Sequence, residues 1–206
     1  VCPYGRSGLR APCVKPCVRR LASPRRCTED AWIFSPKAAR LTSLAHNVNL
    51  SAKAICGIAC FGKLCEMRGD HAKAAEYTQM AKEFAQRWMK EADAGDHYRL
   101  TFDRPDSWSQ KYNATWDRIL GLNLWPAETW RKEMDFYKSH LNEYGLPLDS
   151  RKDYTKLDWT LWTATLTQNR DDFETIVAPV FHFLNTTSDR SPMTDWYQTK
   201  DARKVG

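Results

Sequence analysis

The sequence predicts a mainly α fold, made of α-helical hairpins with short extended segments between them. Three observations predict it. Apolar residues recur at helical spacing through Ala54, Ile58, Phe61 and Cys65, and again through Ala74, Tyr77, Ala81, Phe84 and Trp88. The breaker Arg68-Gly-Asp70 separates these two stripes by three residues, which makes them an αα-hairpin. Helix-start signals then return in the second half, so that helix pairs repeat with longer, aromatic and charged loops between them. No 34-residue consensus of a tetratricopeptide array recurs, and a curved or closed set of hairpins with functional loops at one end fits the pattern best.

Residues 1–43 form a basic arm rich in Cys, Pro and Arg, with no sustained period and four prolines before residue 25, and it is expected to be poorly ordered. Residues 44–206 carry the helical domain. The first helix begins near Asn47 and the second spans about His71 to Ala92. Asp96 to Asp103 alternates His97, Arg99 and Thr101 against Tyr98, Leu100 and Phe102, which reads as a short strand or extended loop stopped by Pro105. A helix is expected from about Ser109 to Leu122, and another from Pro126 to Asn142, with Pro126 in the first turn and Glu128 complementing the dipole. Gly145 and Pro147 break that pattern. Asp149 or Ser150 is then expected to cap a helix over about 153–166, on which Tyr154, Leu157, Leu161 and Ala164 share a face. The last helix is expected over about 171–184.

The 206 residues are 42% apolar with nine tryptophans, enough for a real core and far from a disordered composition. No run approaches the roughly 18 uninterrupted apolar residues that span a bilayer, and no signal peptide is visible. The net charge of +6 is uneven: the first 44 residues carry +7 and the rest −1. The arm shows no zinc-finger, homeodomain or single-strand-binding pattern, so neither nucleic acid nor membrane is expected as a partner. Seven cysteines lie in the first third; Cys13 and Cys17 have metal-like spacing but lack a second ligand pair, so no metal is expected. Cys56 and Cys60, one turn apart on an apolar face, read as small packed thiols. Sequons at Asn49, Asn113 and Asn185 point towards secretion, with Asn49 also placed to cap a helix.

Two dense clusters of charge and aromatics could carry chemistry. Tyr144 to Trp162 gathers Asp149, Arg151, Asp153, Lys156 and Asp158 near a helix start, where unpaired backbone amides favour anions. Hydrolysis by carboxylates needs one to act as acid and one to activate water, and Asp149, Asp153, Asp158 and Asp195 could furnish such a pair. In the second cluster Trp108 and Tyr112 could stack on a ligand ring, while Gln110, Lys111 and Asn113 could hydrogen-bond hydroxyl or amide groups. Asp195 and Trp196 repeat the theme at a third place, and His46 opens the ordered region beside Asn47. No Gly-x-Ser-x-Gly elbow, Ser-x-x-Lys, P-loop or dinucleotide fingerprint is present, and no cofactor is expected.

The segments Leu44-Ala-His-Asn-Val-Asn-Leu-Ser-Ala-Lys-Ala54, Trp108-Ser-Gln-Lys-Tyr-Asn113, Gly145-Leu-Pro-Leu-Asp-Ser-Arg-Lys-Asp-Tyr-Thr-Lys-Leu-Asp-Trp159 and Pro192-Met-Thr-Asp-Trp-Tyr197 occur in order and resemble the secreted fungal glutaminase A family. The resemblance covers about Leu44 to Gly206 and implies part of a six-hairpin (α/α) toroid, related in fold to glycoside hydrolases. It further implies hydrolysis of L-glutamine to glutamate and ammonia, a small-molecule substrate and an extracellular setting. The family's Cys-Thr-Asp-Asp-Phe segment meets Cys27-Thr-Glu-Asp30 here, followed by unmatched residues up to Thr42 that look like an insertion. On this reading the chain is a truncated member with an incomplete cleft. Asp149, Asp153 and Asp158 are its candidate catalytic groups; Trp108, Gln110, Lys111, Tyr112, Asn113, Arg151, Lys156, Asp195, Trp196, His46 and Asn47 are its candidate substrate contacts. The rival readings are a glycosidase-like enzyme with Trp108 and Trp196 as sugar platforms, and a non-enzymatic helical-hairpin module whose basic arm recruits acidic partners.

Overall fold

A computed structural model describes residues 46–205, which lie within one compact unit, Leu44–Gly206. The basic arm, Cys13, Cys17, Glu29 and Asp30 lie outside the described residues. The described part is mainly helical, in the order α1 (Val48–Met67), α2 (His71–Ala92), a 3-10 turn (Tyr112–Ala114), α3 (Thr115–Ile119), α4 (Ala127–Ser139), β1 (Tyr154–Lys156), α5 (Leu157–Ala164), α6 (Arg170–Thr186) and β2 (Trp196–Gln198).

Helices α1 and α2 form the expected antiparallel hairpin. Asn47, not Asn49, caps α1 by accepting from the Leu50 amide at 2.9 Å, and Asp70 caps α2 through Lys73 N at 3.2 Å. Gly69 turns the chain at φ +77°, a conformation a side chain rarely tolerates. The helices approach so closely at Gly62 that a Cβ there would lie 3.0 Å from Thr78 Oγ1. On α2 the inward stripe runs Ala74, Tyr77, Ala81, Ala85 and Trp88, whereas the buried face of α1 is Ala52, Ile55, Cys56, Ala59 and Gly62 rather than the Ala54, Ile58, Phe61 row. α1 is apolar nearly all round, so spacing alone does not choose its face. It is also long and apolar enough to cross a membrane by length and composition, although half of that stretch is buried within this fold.

Trp88 is the hub of the first core. Its ring meets Tyr98, Trp125 and Trp130 at centroid distances of 4.8, 5.7 and 6.3 Å, and its Nε1 donates to Val48 O at 2.8 Å. The extended segment after α2 ties down the start of α1: Val48 N donates to Leu100 O and Phe102 N to His46 O, at 3.0 and 3.1 Å.

Two expected helices are shorter than their sequence patterns. Residues 108–110 are extended, because Gln110 N pairs with Leu148 O at 2.9 Å and Ser109 bridges Asp149, so the helical turn starts only at Tyr112. Neither Asp149 nor Ser150 caps α5. Tyr154 to Lys156 instead form β1, paired antiparallel with β2 in the register Tyr154↔Gln198, Thr155↔Tyr197 and Lys156↔Trp196, and α5 follows at Leu157. Tyr197 locks this clamp by stacking on Phe183 at 3.5 Å and donating to Tyr144 O at 2.9 Å. Gly145, at φ +136°, leaves the space that the Tyr197 hydroxyl needs.

Helix α4 is held by two ion pairs, Lys132 with Asp93 at 2.7 Å and Lys138 with Asp172. Burial alone would raise both carboxyls, but hydrogen bonds from the lysines and, for Asp93, the Gly95 amide, together with the lysine charges, outweigh it and hold both below the ordinary carboxylate range. A carboxyl depressed by folding adds stability above its unfolded pKa of about 3.9, and that stability is lost as pH falls through the folded value. Urea midpoints are therefore expected to stay flat from about pH 7 to 5 and to drop below about pH 4; Lys138→Met should remove roughly 0.5 kcal/mol at neutral pH, allowing for solvent screening. A midpoint that rises on acidification contradicts this.

Cys56 is buried, and burial followed by the nearby Asp117 charge pushes its thiol up to about 12. Alkylation near pH 8 with peptide mapping is expected to modify the half-buried Cys60 well before Cys56. Equal labelling in the folded chain would show that the α1 face is wrongly assigned.

Candidate functional site

The starts of α1, the 3-10 turn and α5 come together, and most of the motif residues gather there. Asn113 N donates to Asn49 Oδ1 at 3.1 Å and Asn113 Nδ2 to Asn49 O at 3.3 Å, two bonds in one direction that weld the 3-10 turn to the first turn of α1. Tyr112 stacks on Trp159 at 4.4 Å with ring planes 12° apart, joining the same turn to α5. The Tyr112 hydroxyl feels Asn49 and the charges of Asp149, Asp158 and Arg151. Burial and then the two aspartates push it up while Asn49 and Arg151 pull it down, for a net value of about 12. Tyr112 is thus a neutral hydrogen-bond donor at physiological pH.

The three candidate carboxylates differ in their freedom. Asp149 is spent on its own loop: its side chain is 5% exposed, takes Arg151 Nε and Nη2 at 2.8 and 2.7 Å, and accepts the Arg151 amide at 3.0 Å. That pairing raises the Arg151 guanidinium further. Asp153 points to solvent, paired with Lys200 at 3.0 Å, while its carbonyl accepts from the amide and hydroxyl of Thr199. Asp158, in the first turn of α5, keeps a buried Oδ1 that has no hydrogen-bond partner among the described residues. A buried carboxylate oxygen without a donor is costly unless something binds it.

Beside it, Lys156 lies 5.5 Å above the Trp159 ring and 2.7 Å from Asp195. Trp196 presents an exposed ring edge-on to Tyr154 at 5.5 Å. Trp108, His140, Asp149, Arg151 and Asp153 line a polar cleft of about 490 Å³, but the Trp108 ring packs against Phe136, Tyr137 and His140. A larger cavity of about 570 Å³, lined by Arg118, Ile119, Ala164 and Phe173 among others, shares none of the motif side chains.

Three of the expected substrate contacts lie in the interior. Gln110 is fully buried, its Nε2 directed at Leu146 O and Pro147 O at 3.0 and 3.1 Å and its Oε1 accepting from Thr163 at 3.0 Å. Lys111 is fully buried, donating to Tyr98 O and Ser109 O at 2.8 and 2.7 Å with Glu133 at 3.5 Å. Asn113 is held by Asn49 as described above. Gln110 and Lys111 spend their side-chain donors on main chain and buried partners. Asn47 is a helix cap, and His46 is an exposed turn residue at φ 61°. Trp159 and Asn49 join the site although neither stood out as a ligand contact in the sequence. Trp159 carried the only available signal, being the aromatic that follows Asp158 by one residue. Among the described residues no group of three or more His, Cys, Asp or Glu could hold a metal ion.

Comparison with known proteins adds the context of this geometry. Residues 37–206 match the model of the glutaminase A six helical-hairpin domain. A protein of Aspergillus oryzae named glutaminase A is 34% identical over 164 residues, covering 77% of this chain and 23% of that protein. A probable glutaminase of Arthroderma benhamiae is 25% identical over 187 residues, covering 77% of this chain and 22% of its own length. The chain thus spans roughly a quarter of the length of these curated relatives.

Proposed function

From the premise that this chain belongs to the glutaminase A six helical-hairpin family, we propose that it carries the amide-handling corner of a glutaminase, centred on Asp158, Tyr112 and Trp159. The observation that carries the reading is the unpartnered, buried Oδ1 of Asp158, the residue before Trp159, on whose ring the protonated Tyr112 stacks. Asp158 takes a proton from an attacking water, and Tyr112 donates to the oxygen that gains charge as the side-chain amide becomes tetrahedral. The C–N bond then breaks, and the proton held by Asp158 leaves with ammonia. The accessible Lys156–Asp195 pair offers one cation and one anion, the complement of the carboxylate and ammonium of a free amino acid, and Trp159 supplies an apolar wall for its methylenes. The setting proposed is extracellular.

The exposed Trp196 ring favours a second reading, a sugar substrate stacked on that aromatic, while Trp108 is too tightly packed to serve as the matching platform. Calorimetric titration separates the two. L-glutamine is expected to bind with a Kd on the order of 1 mM, about −4 kcal/mol, and roughly tenfold more weakly to Lys156→Met. Saturable binding of an oligosaccharide with none of L-glutamine would overturn the amide reading.

A further inference from the structure

Asparagine acceptors of the form Asn-x-Ser/Thr occur at Asn49, Asn113 and Asn185, and the fold treats them very differently. Asn49 and Asn113 are 4% exposed each and are bonded to one another, Asn49 offering Oδ1 to the Asn113 amide and Asn113 directing Nδ2 at the Asn49 carbonyl. With both residues 4% exposed, neither nitrogen has room for an oligosaccharide inside the folded domain, and a glycan on either would have to force the first turn of α1 from the 3-10 turn. Asn185 sits in the last turn of α6, exposed, and its Nδ2 makes one bond, to Phe181 O at 2.8 Å. A glycosylated amide nitrogen retains one hydrogen, so that bond survives modification.

The surroundings of Asn185 supply a reason for a sugar there. Phe181, four residues earlier on the same helix face, is 67% exposed, an uncommon place for a phenyl ring. The first sugar on Asn185 would stand next to that ring and cover part of it. Thr187, whose hydroxyl completes the acceptor motif in the nascent chain, donates to Ala202 O at 2.7 Å once folded and fastens the C-terminal segment. The motif thus survives in the fold without obstructing it.

We propose that Asn185 is the N-glycosylation site of this protein and that the folded population carries a glycan there and at neither Asn49 nor Asn113. The donor is a lipid-pyrophosphate-linked oligosaccharide. The bond between its first sugar carbon and the pyrophosphate oxygen breaks, a bond from that carbon to Asn185 Nδ2 forms, one amide proton is released, and the lipid pyrophosphate leaves. The proposal is independent of the reaction assigned above, since it requires passage through the secretory pathway and no activity.

The full chain, routed into the secretory pathway of a yeast host, tests this in secreted and lumenal material that resists limited proteolysis. Peptide-N-glycosidase treatment is expected to remove one glycan, and peptide mapping should find the deamidation that marks the former attachment point at position 185 alone. Asn185→Gln should abolish the shift and leave the proteolysis pattern unchanged. A protease-resistant chain without a glycan at Asn185, one carrying a glycan at Asn49 or Asn113, or an Asn185→Gln chain that still shifts would each overturn the proposal.

Discussion

Replacing Lys111 with methionine is expected to lower the unfolding free energy by about 3–5 kcal/mol, the cost of leaving a buried charge without its partner. Lys111 and Glu133 are 0% and 1% exposed at their side chains, and around them the polar groups of three segments are satisfied together. Lys111 Nζ supplies Tyr98 O and Ser109 O, Glu133 accepts from the Tyr98 amide and the Tyr137 hydroxyl, and Tyr137 accepts from the Lys111 amide at 3.0 Å. Burial works against the ammonium and lowers Lys111 from its ordinary value, Glu133 opposes that shift, and burial with the Glu133 charge keeps Tyr137 protonated. Adding Glu133→Gln to Lys111→Met should recover part of the loss, because no charge is then stranded while the amide oxygen can still accept from Tyr98 N. Urea unfolding of the two single variants and the double variant measures this; additive losses would mean that the two side chains do not act as a pair.

Truncating Trp88 to alanine is expected to cost about 3–5 kcal/mol, a large share of the roughly 5–15 kcal/mol by which an ordinary domain is stable. Trp88 is fully buried, touches three aromatic rings and carries the hydrogen bond that joins α2 to the start of α1. Trp162→Ala is the matched control: that ring is 38% exposed and packs edge-on to the equally exposed Trp116, so about 0.5–1 kcal/mol is the expected loss. Circular dichroism of both variants at equal concentration distinguishes them, and a folded Trp88→Ala chain with an unchanged urea midpoint contradicts the core described here.

How much of this was legible in the sequence follows from the range of the interactions. The α1–α2 hairpin was legible because its signals are local: a glycine turn, an aspartate cap and a one-sided stripe on α2. The face of α1 was not, since apolar residues surround that helix. The start of α5 depends on a long-range cause, the pairing of Tyr154 to Lys156 with a strand about forty residues later. The same limit applies to the site. Asp158, Tyr112, Lys156 and Arg151 were picked out by composition, and they do share one region, but composition could not separate a free carboxylate from Asp149, bound by Arg151, or from Asp153, at the surface beside Lys200. A charged or amide side chain next to aromatics looks like a ligand contact in sequence, and composition could not show that Lys111 and Gln110 both donate to buried backbone. The Asn49–Asn113 pair spans 64 residues and leaves no trace in either motif taken alone.

Ammonia release from L-glutamine by the purified chain, compared with Asp158→Asn and Asp153→Asn variants of confirmed fold, tests the role of Asp158 most directly. The rate is expected to fall by about 10²- to 10⁴-fold in Asp158→Asn, the range for loss of a general acid–base group, and to stay within about twofold in Asp153→Asn. No release by the unsubstituted chain, or a loss at Asp153 with none at Asp158, would contradict that role.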